Sequence, residues 1–213
     1  MRKLFGRLYL RLIGWKADGE LPSEPRFILI AAPHTSNWDL PHMLFLSFVY
    51  GVRINWFAKH TIFRRPYGWF FRMLGGVSVD RRSPQGLVEQ MADELRRRDR
   101  MILAVPPEGT RSYREYWKSG FYYIAHHAGV PIALGFLDYG GKRGGFGPLV
   151  HTTGDVQADM DKIRAFYADK VGKRPELHSR ILLRTEEEEA EGGAETDAAP
   201  DRPRTPALQQ AAL

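Results

Sequence analysis

Residues 77–105 read VSVDRRSPQGLVEQMADELRRRDRMILAV. Val77 to Asp80 alternates apolar and polar residues and reads as a short strand. Ser83 can cap a helix, and Pro84 fits its first turn because the missing N–H has no intrahelical partner there. Leu87, Val88, Met91 and Leu95 recur at helical spacing and form a core face. Arg96 to Arg98 fall in the last turn, where the helix dipole favours cations. Met101 to Val105 is an apolar run of strand length. A strand, a helix and a strand in succession place the two strands parallel in one sheet.

The same alternation extends in both directions. Phe27 to Ala32 reads as a buried strand. Ser36 or Asn37 can cap a helix running to about Tyr50 and ended by Gly51. Ile54 to Ala58 reads as a strand, about Ser119 to Ala128 as a helix and Val130 to Leu137 as a strand. Gly140 to Gly147 is glycine-rich and reads as a surface turn between strands. It lacks the Lys-Ser/Thr ending of a nucleotide-binding loop. A last amphipathic helix runs from Asp155 to about Val171, with Met160, Ile163 and Phe166 inward. This pattern predicts an α/β fold with helices packed on a largely parallel central sheet.

Composition agrees with a folded domain and adds charge. The 213 residues are 43% apolar and 26% charged, ordinary values for a globular chain, with no cysteine. A disulfide framework, a thiol nucleophile and a cysteine zinc site are therefore excluded. From about Thr185 the chain turns to Glu, Ala, Gly and Pro, a composition that predicts disorder. Residues 185–213 hold eight acids and two bases, which leaves 29 basic against 17 acidic residues, net +12, for residues 1–184. Arginine outnumbers lysine 23 to 8. Such a surface suits anionic partners: nucleic acid, anionic lipid or phosphorylated substrates. Three parts result: a basic amphipathic segment over 1–25, one domain over 26–184 and a disordered acidic tail over 185–213.

No stretch reaches the roughly 18 apolar residues that cross a bilayer, and the N-terminus does not read as a signal peptide. Residues 1–16 carry five bases and no acid. Leu4, Leu8, Leu12 and Trp15 form a stripe bordered by Lys3, Arg7 and Arg11, the pattern of a helix lying in a membrane interface. A terminal helix packed on the domain would show the same spacing. Residues 53–82 carry seven bases, seven aromatics and a single acid, Asp80. That mixture suits a lipid headgroup boundary, an acyl-chain groove or stacked bases of single-stranded nucleic acid.

Three polar segments follow strand ends. His34 to Asp39 follows Ala32, Arg81 follows 77–80, and Glu108 to Ser112 follows 101–105. In open α/β sheets, ligand sites collect outside the carboxyl ends of the strands. Parallel strands would therefore gather a histidine, carboxylates and arginines in one cleft. The spacing of His34 and Asp39 around a helix start lets the carboxylate hold one ring nitrogen while the other serves as a base. Gly109 permits close approach to the backbone, and Thr110, Arg111 and Ser112 offer donors to an oxyanion or phosphate.

Taken in order, these segments resemble the glycerolipid acyltransferase family, which includes lysophosphatidic acid and glycerol-3-phosphate acyltransferases. His34 and Asp39 match its His-x4-Asp block. Gly75 or Gly76 through Arg81 matches its second block, and Glu108 to Ser112 matches Glu-Gly-Thr-Arg-Ser in full. Val130-Pro131-Ile132 is similar to its fourth block, and Trp117-Lys118-Ser119-Gly120 to its Phe-Lys-x-Gly segment. Pro33, Pro106 and Leu134 depart from the commoner residues. The resemblance covers about residues 26–138 and implies an α/β domain of the glycerol-3-phosphate acyltransferase kind.

It also implies direct acyl transfer. His34, oriented by Asp39, would take a proton from an acceptor hydroxyl, which attacks the thioester of acyl-coenzyme A or acyl carrier protein. Arg81, Glu108, Gly109, Thr110, Arg111, Ser112 and Lys118 would bind substrate. Neither a metal nor a cofactor is implied, since the acyl thioester is a co-substrate. The partners implied are the acyl carrier, a lysophospholipid or other lipid acceptor and an anionic membrane surface. The implied setting is peripheral or monotopic, on the cytoplasmic face of a bacterial membrane. A nucleic-acid-binding protein would account for the charge but not for the order of the blocks. A lipid hydrolase would use the same histidine on water.

Overall fold

The computed structural model describes residues 1–64, 66–79 and 86–187. Asp80, Arg81, Arg82, the expected Ser83-Pro84 cap and the tail beyond 187 lie outside the described residues. The chain folds in the order α1 (Arg2–Leu12), β1 (Lys16–Asp18), β2 (Arg26–Ala32), α2 (Asp39–Tyr50), β3 (Ile54–Lys59), a 3-10 turn (His60–Phe63), α3 (Gly68–Met73), β4 (Gly76–Val79), α4 (Gly86–Arg97), β5 (Met101–Val105), α5 (Gly120–Ala128), β6 (Ile132–Asp138), β7 (Arg143–Val150), α6 (Val156–Tyr167) and a 3-10 turn (Pro175–Leu177).

The strands form one seven-stranded sheet in the order β1-β7-β6-β2-β5-β3-β4. From β6 to β4 every pairing is parallel. Only β7 turns back, antiparallel to β6, and β1 runs parallel to β7. The helix-linked strands β4 and β5 are parallel as their sequence predicts, with β3 between them. Both sheet faces are covered, so β5 is apolar at every position and β2 and β6 at all but one end, rather than at alternate positions. Ile28 and Ile30 of β2 point into a core with Met91, Leu95, Phe121 and Ile163. Phe27 and Leu29 point the other way, toward Phe146 and Met43 of α2.

The connection leaving β2 runs toward β3 and β4 on one side of the sheet, while the one leaving its neighbour β5 crosses to β6 on the other, which makes a switch point between β2 and β5. This switch point opens a crevice at the carboxyl ends of the strands, where a ligand fits.

Several expectations change. Neither Ser36 nor Asn37 occupies the α2 cap; Trp38 does, with no side-chain cap bond. The reason is local: Asp39 folds back to accept the Ser36 N–H at 3.0 Å. The glycine-rich stretch is only partly a turn, because Gly144, Gly145 and Gly147 belong to β7. Their small size is needed for packing. A Cβ on Gly145 would stand 1.9 Å from the Asp18 carbonyl oxygen, and one on Gly147 would stand 2.3 Å from the Phe166 ring.

The N-terminal segment is not a separate unit, since β1 joins the sheet and Trp15 is buried. Trp15 thus leaves the exposed stripe, whereas Leu4, Leu8 and Leu12 are 71%, 50% and 76% exposed. The buried side of α1 carries Gly6 and Leu10. A Cβ on Gly6 would stand 2.7 Å from the Phe45 carbonyl oxygen, so glycine lets α1 lie close on α2. At the other end, the fold continues past 184. Glu186 is buried, accepts the Leu183 N–H at 2.7 Å and pairs with Arg164 at 2.7 Å.

The aromatic stretch between β3 and β4 forms the 3-10 turn and α3, elements that no sequence periodicity announced. Phe63 is core, while Tyr67, Trp69 and Phe70 are exposed.

Candidate active site

β2 delivers the chain to the crevice and α2 carries it away. The loop between them places His34 and Asp39 side by side. The His34 Nδ1 lies 3.0 Å from Asp39 Oδ2. Oδ2 also accepts the Ser36 N–H, and Oδ1 accepts the hydroxyl of Tyr139 at 2.7 Å. Asp39 is 5% exposed. Burial pushes its carboxyl up, but the bonds from His34, Tyr139 and Ser36 outweigh burial and hold it below its ordinary value. Asp39 is thus an ionised acceptor. Against an ionised carboxylate Nδ1 is the donor, and in the neutral imidazole this leaves the lone pair on Nε2.

Glu108 comes from the loop after β5. Its Oε1 accepts the His34 N–H at 3.1 Å, so it fixes the backbone of the histidine. The carboxyl is buried and Oε2 has no partner. Burial pushes it up to about 7, against the opposing effect of the His34 N–H.

A cavity of about 740 Å³ opens beside the pair, and His34 and Asp39 are among its lining residues. It passes between α2 and the sheet, where Leu29, Met43, Leu46, Ala104 and Phe146 give it an apolar wall. From Ala32, the last residue of β2, back to Leu29 is roughly 10 Å at the usual strand rise. Gly109, Arg111 and Lys118 also line it. Gly109 has φ +65°, and a Cβ there would stand 2.8 Å from the Lys118 side chain. Glycine at this point lets the Lys118 side chain lie against the backbone of its own loop. Lys118 is held by its own N–H, which donates to the Pro107 carbonyl at 2.8 Å.

The residues singled out in the sequence therefore divide into groups. His34, Asp39, Gly109, Arg111 and Lys118 share the cavity, while Glu108 lies behind His34 and does not line it. Thr110 and Ser112 do not line it either; the Thr110 hydroxyl accepts the Ser112 N–H at 3.4 Å and shapes the turn. Arg81 lies outside the described residues. Sequence reasoning missed Tyr139, whose only signal was its place just past the carboxyl end of β6.

A family model described as Acyltransferase matches residues 17–133. The chain belongs to this acyltransferase family. The matched span contains the loops after β2 and β5, and it ends before Tyr139. The 1-acyl-sn-glycerol-3-phosphate acyltransferase of Streptococcus pneumoniae is 28% identical over 138 residues, which cover 58% of this chain. This acyltransferase chain spans about half, 51%, of that relative's length. The crystal structure of the 1-acyl-sn-glycerophosphate (LPA) acyltransferase PlsC from Thermotoga maritima matches with a TM-score of 0.51 at 20% identity. The match covers 94% of this chain and 80% of that one, and it shows that the two share a fold. Among the described residues, no group of three or more His, Asp or Glu could hold a metal ion.

Proposed function

We propose that this protein transfers a fatty acyl group from acyl-coenzyme A or acyl carrier protein to a hydroxyl of a phosphorylated glycerolipid such as 1-acyl-glycerol-3-phosphate. The observation that carries this reading is a histidine–aspartate pair on the wall of a deep apolar cavity that also has an arginine and a lysine. The acyl chain lies along Leu29, Met43 and Phe146, and the phosphate meets Arg111 and Lys118. By the family pattern Arg81 joins them.

In this mechanism Asp39 keeps the imidazole oriented and Nε2 takes the proton of the acceptor hydroxyl. The oxygen attacks the thioester carbonyl, the new C–O bond forms, the C–S bond breaks, and the proton passes from His34 to the leaving sulfur. Acyl transfer rather than hydrolysis follows when the acceptor fills the site and excludes water.

The setting is a membrane surface, and we place it on the cytoplasmic face. Among the described residues no helix is long and apolar enough to cross a membrane. The exposed leucines of α1, beside Lys3, Arg7 and Arg11, suit an interface with anionic lipid. His34→Ala tests the chemistry, with palmitoyl-coenzyme A as donor and 1-acyl-glycerol-3-phosphate as acceptor. Turnover falls about 10²-fold or more, while circular dichroism stays native. A folded variant with wild-type transfer removes the mechanism.

A further inference from the structure

Tyr139 stands one residue beyond β6. Its ring meets Trp15 edge-on at 4.8 Å and stacks on His42 at 5.5 Å. Its backbone N–H donates to the Val171 carbonyl at 2.8 Å. Held on three sides, the ring presents its hydroxyl to Oδ1 of Asp39. Burial and the adjacent Asp39 carboxylate both push the phenol up, so it remains a donor.

A carboxylate can rotate about its Cβ–Cγ bond. Two donors on Oδ2, His34 Nδ1 and Ser36 N–H, still leave the group able to swing. A third donor on the opposite oxygen stops that rotation. It also withdraws charge from the anion, so Asp39 stabilises a protonated His34 less than a bare carboxylate would. The other charged or titratable groups around the pair are Glu108 behind His34, and His42, Lys173 and Tyr9 on the outer side. Tyr9 spends its hydroxyl on His42 Nδ1 at 3.2 Å.

We infer that Tyr139 is a positioning residue for the His34–Asp39 pair: its hydroxyl locks the carboxylate that orients the histidine and tempers how tightly the pair holds a proton. Tyr139 does not line the cavity, so it acts through Asp39 and not on substrate. The inference rests on the general-base reading above.

Tyr139→Phe tests it, because the variant keeps the ring contacts and loses only the hydroxyl. With palmitoyl-coenzyme A and 1-acyl-glycerol-3-phosphate, kcat falls about 10-fold, the worth of one hydrogen bond to a charged group. Both KM values stay within about 2-fold. The acid limb of the kcat/KM profile moves to higher pH, because the less neutralised carboxylate favours imidazolium. Imidazole NMR shows the same upward movement of the His34 titration in the absence of turnover. Tyr9→Phe, which leaves the Tyr139–Asp39 bond in place, leaves profile and titration unmoved.

An unmoved acid limb and His34 titration in Tyr139→Phe overturn the inference, as does a raised KM with kcat kept. Neither result touches the general-base reading, which falls only if His34→Ala stays active. The NMR shift stands or falls independently of that assay.

Discussion

The loops after β2 and β5 meet over the same cavity but are built in opposite ways. In the first, His34, Ser36 and Asp39 bond to one another, to Tyr139 and to Glu108, and the pair is set before any substrate arrives. In the second, Arg111 and Lys118 have no side-chain partner among the described residues, although both line the cavity. An enzyme gains most from reacting groups that need no reorganisation at the moment of reaction. Groups that bind a mobile anion gain from staying unpaired, since a protein carboxylate would compete with the ligand. On the proposed mechanism the contrast separates chemistry, already assembled, from recognition, left open. It also moves Glu108 from the second loop's function to the first's.

The largest effect that tests this division falls on the open loop. Arg111→Ala should raise KM for a phosphorylated acceptor by about 10–160-fold, the range of a charge-assisted hydrogen bond. Lys118→Ala should act in the same direction, and kcat should change little in both. Thr110→Ala and Ser112→Ala should stay within about 2-fold of wild type, because neither side chain lines the cavity. Initial-rate kinetics with each substrate varied in turn makes the measurement. A change confined to the KM of the acyl donor would assign the two cations to the carrier instead.

Glu108 gives the next effect, and its sign is set by burial. Its folded carboxyl is pushed up to about 7 from an ordinary 4.5. The folded state therefore holds a proton that the unfolded chain has lost, and stability falls as pH rises between these values. At 1.36 kcal/mol per unit the contribution at pH 8 is about 3 kcal/mol against the fold. Glu108→Gln keeps a carbonyl for the His34 N–H and carries no charge. Its stability relative to wild type should rise from pH 4 to pH 8 by up to this amount, measured by urea unfolding. Its kcat should stay closer to wild type than that of Glu108→Ala, which loses the acceptor for His34 N–H. A gap that does not vary with pH would mean that Glu108 is solvated in solution.

The sequence made the five parallel strands from β6 to β4 and the first loop legible for a physical reason: short apolar runs separated by amphipathic helices leave few ways to fold. Met101–Val105 was legible to the residue, and His34 with Asp39 from their spacing taken with the order of the three polar segments. The missed features depend on contacts distant along the chain. Tyr139 reaches Asp39 across 100 residues, and nothing beside it in sequence marks it. Glu186 sits in an acidic run that reads as solvated tail, yet Arg164 and the Leu183 N–H bury it. Trp15 fits a helical stripe with Leu12, but α1 ends at Leu12 and the chain turns inward before Trp15.

That last correction shapes the smallest predicted effect and extends the comparison from polar groups to apolar ones. One side of α1 is packed against α2 through Gly6 and Leu10, and the other leaves Leu4, Leu8 and Leu12 in contact with water. Deleting residues 1–16 would remove both sides and expose the surroundings of Trp15, so loss of binding would not be separable from damage to the fold. Replacing Leu4, Leu8 and Leu12 by serine removes only the open side. Because these positions are exposed, the urea midpoint should move little. Affinity for anionic phospholipid vesicles should fall by about 10-fold or more, since burying one leucine contributes about 1.5–3 kcal/mol when complete and these insert partly. The remaining binding should weaken with salt, because Lys3, Arg7 and Arg11 still attract the surface at roughly 1 kcal/mol each. Turnover on a water-soluble short-chain acceptor should stay at the wild-type level, since none of the three leucines lines the cavity. Vesicle binding equal to wild type would leave α1 as packing alone, and would shift the docking role to the exposed Tyr67, Trp69 and Phe70 around α3.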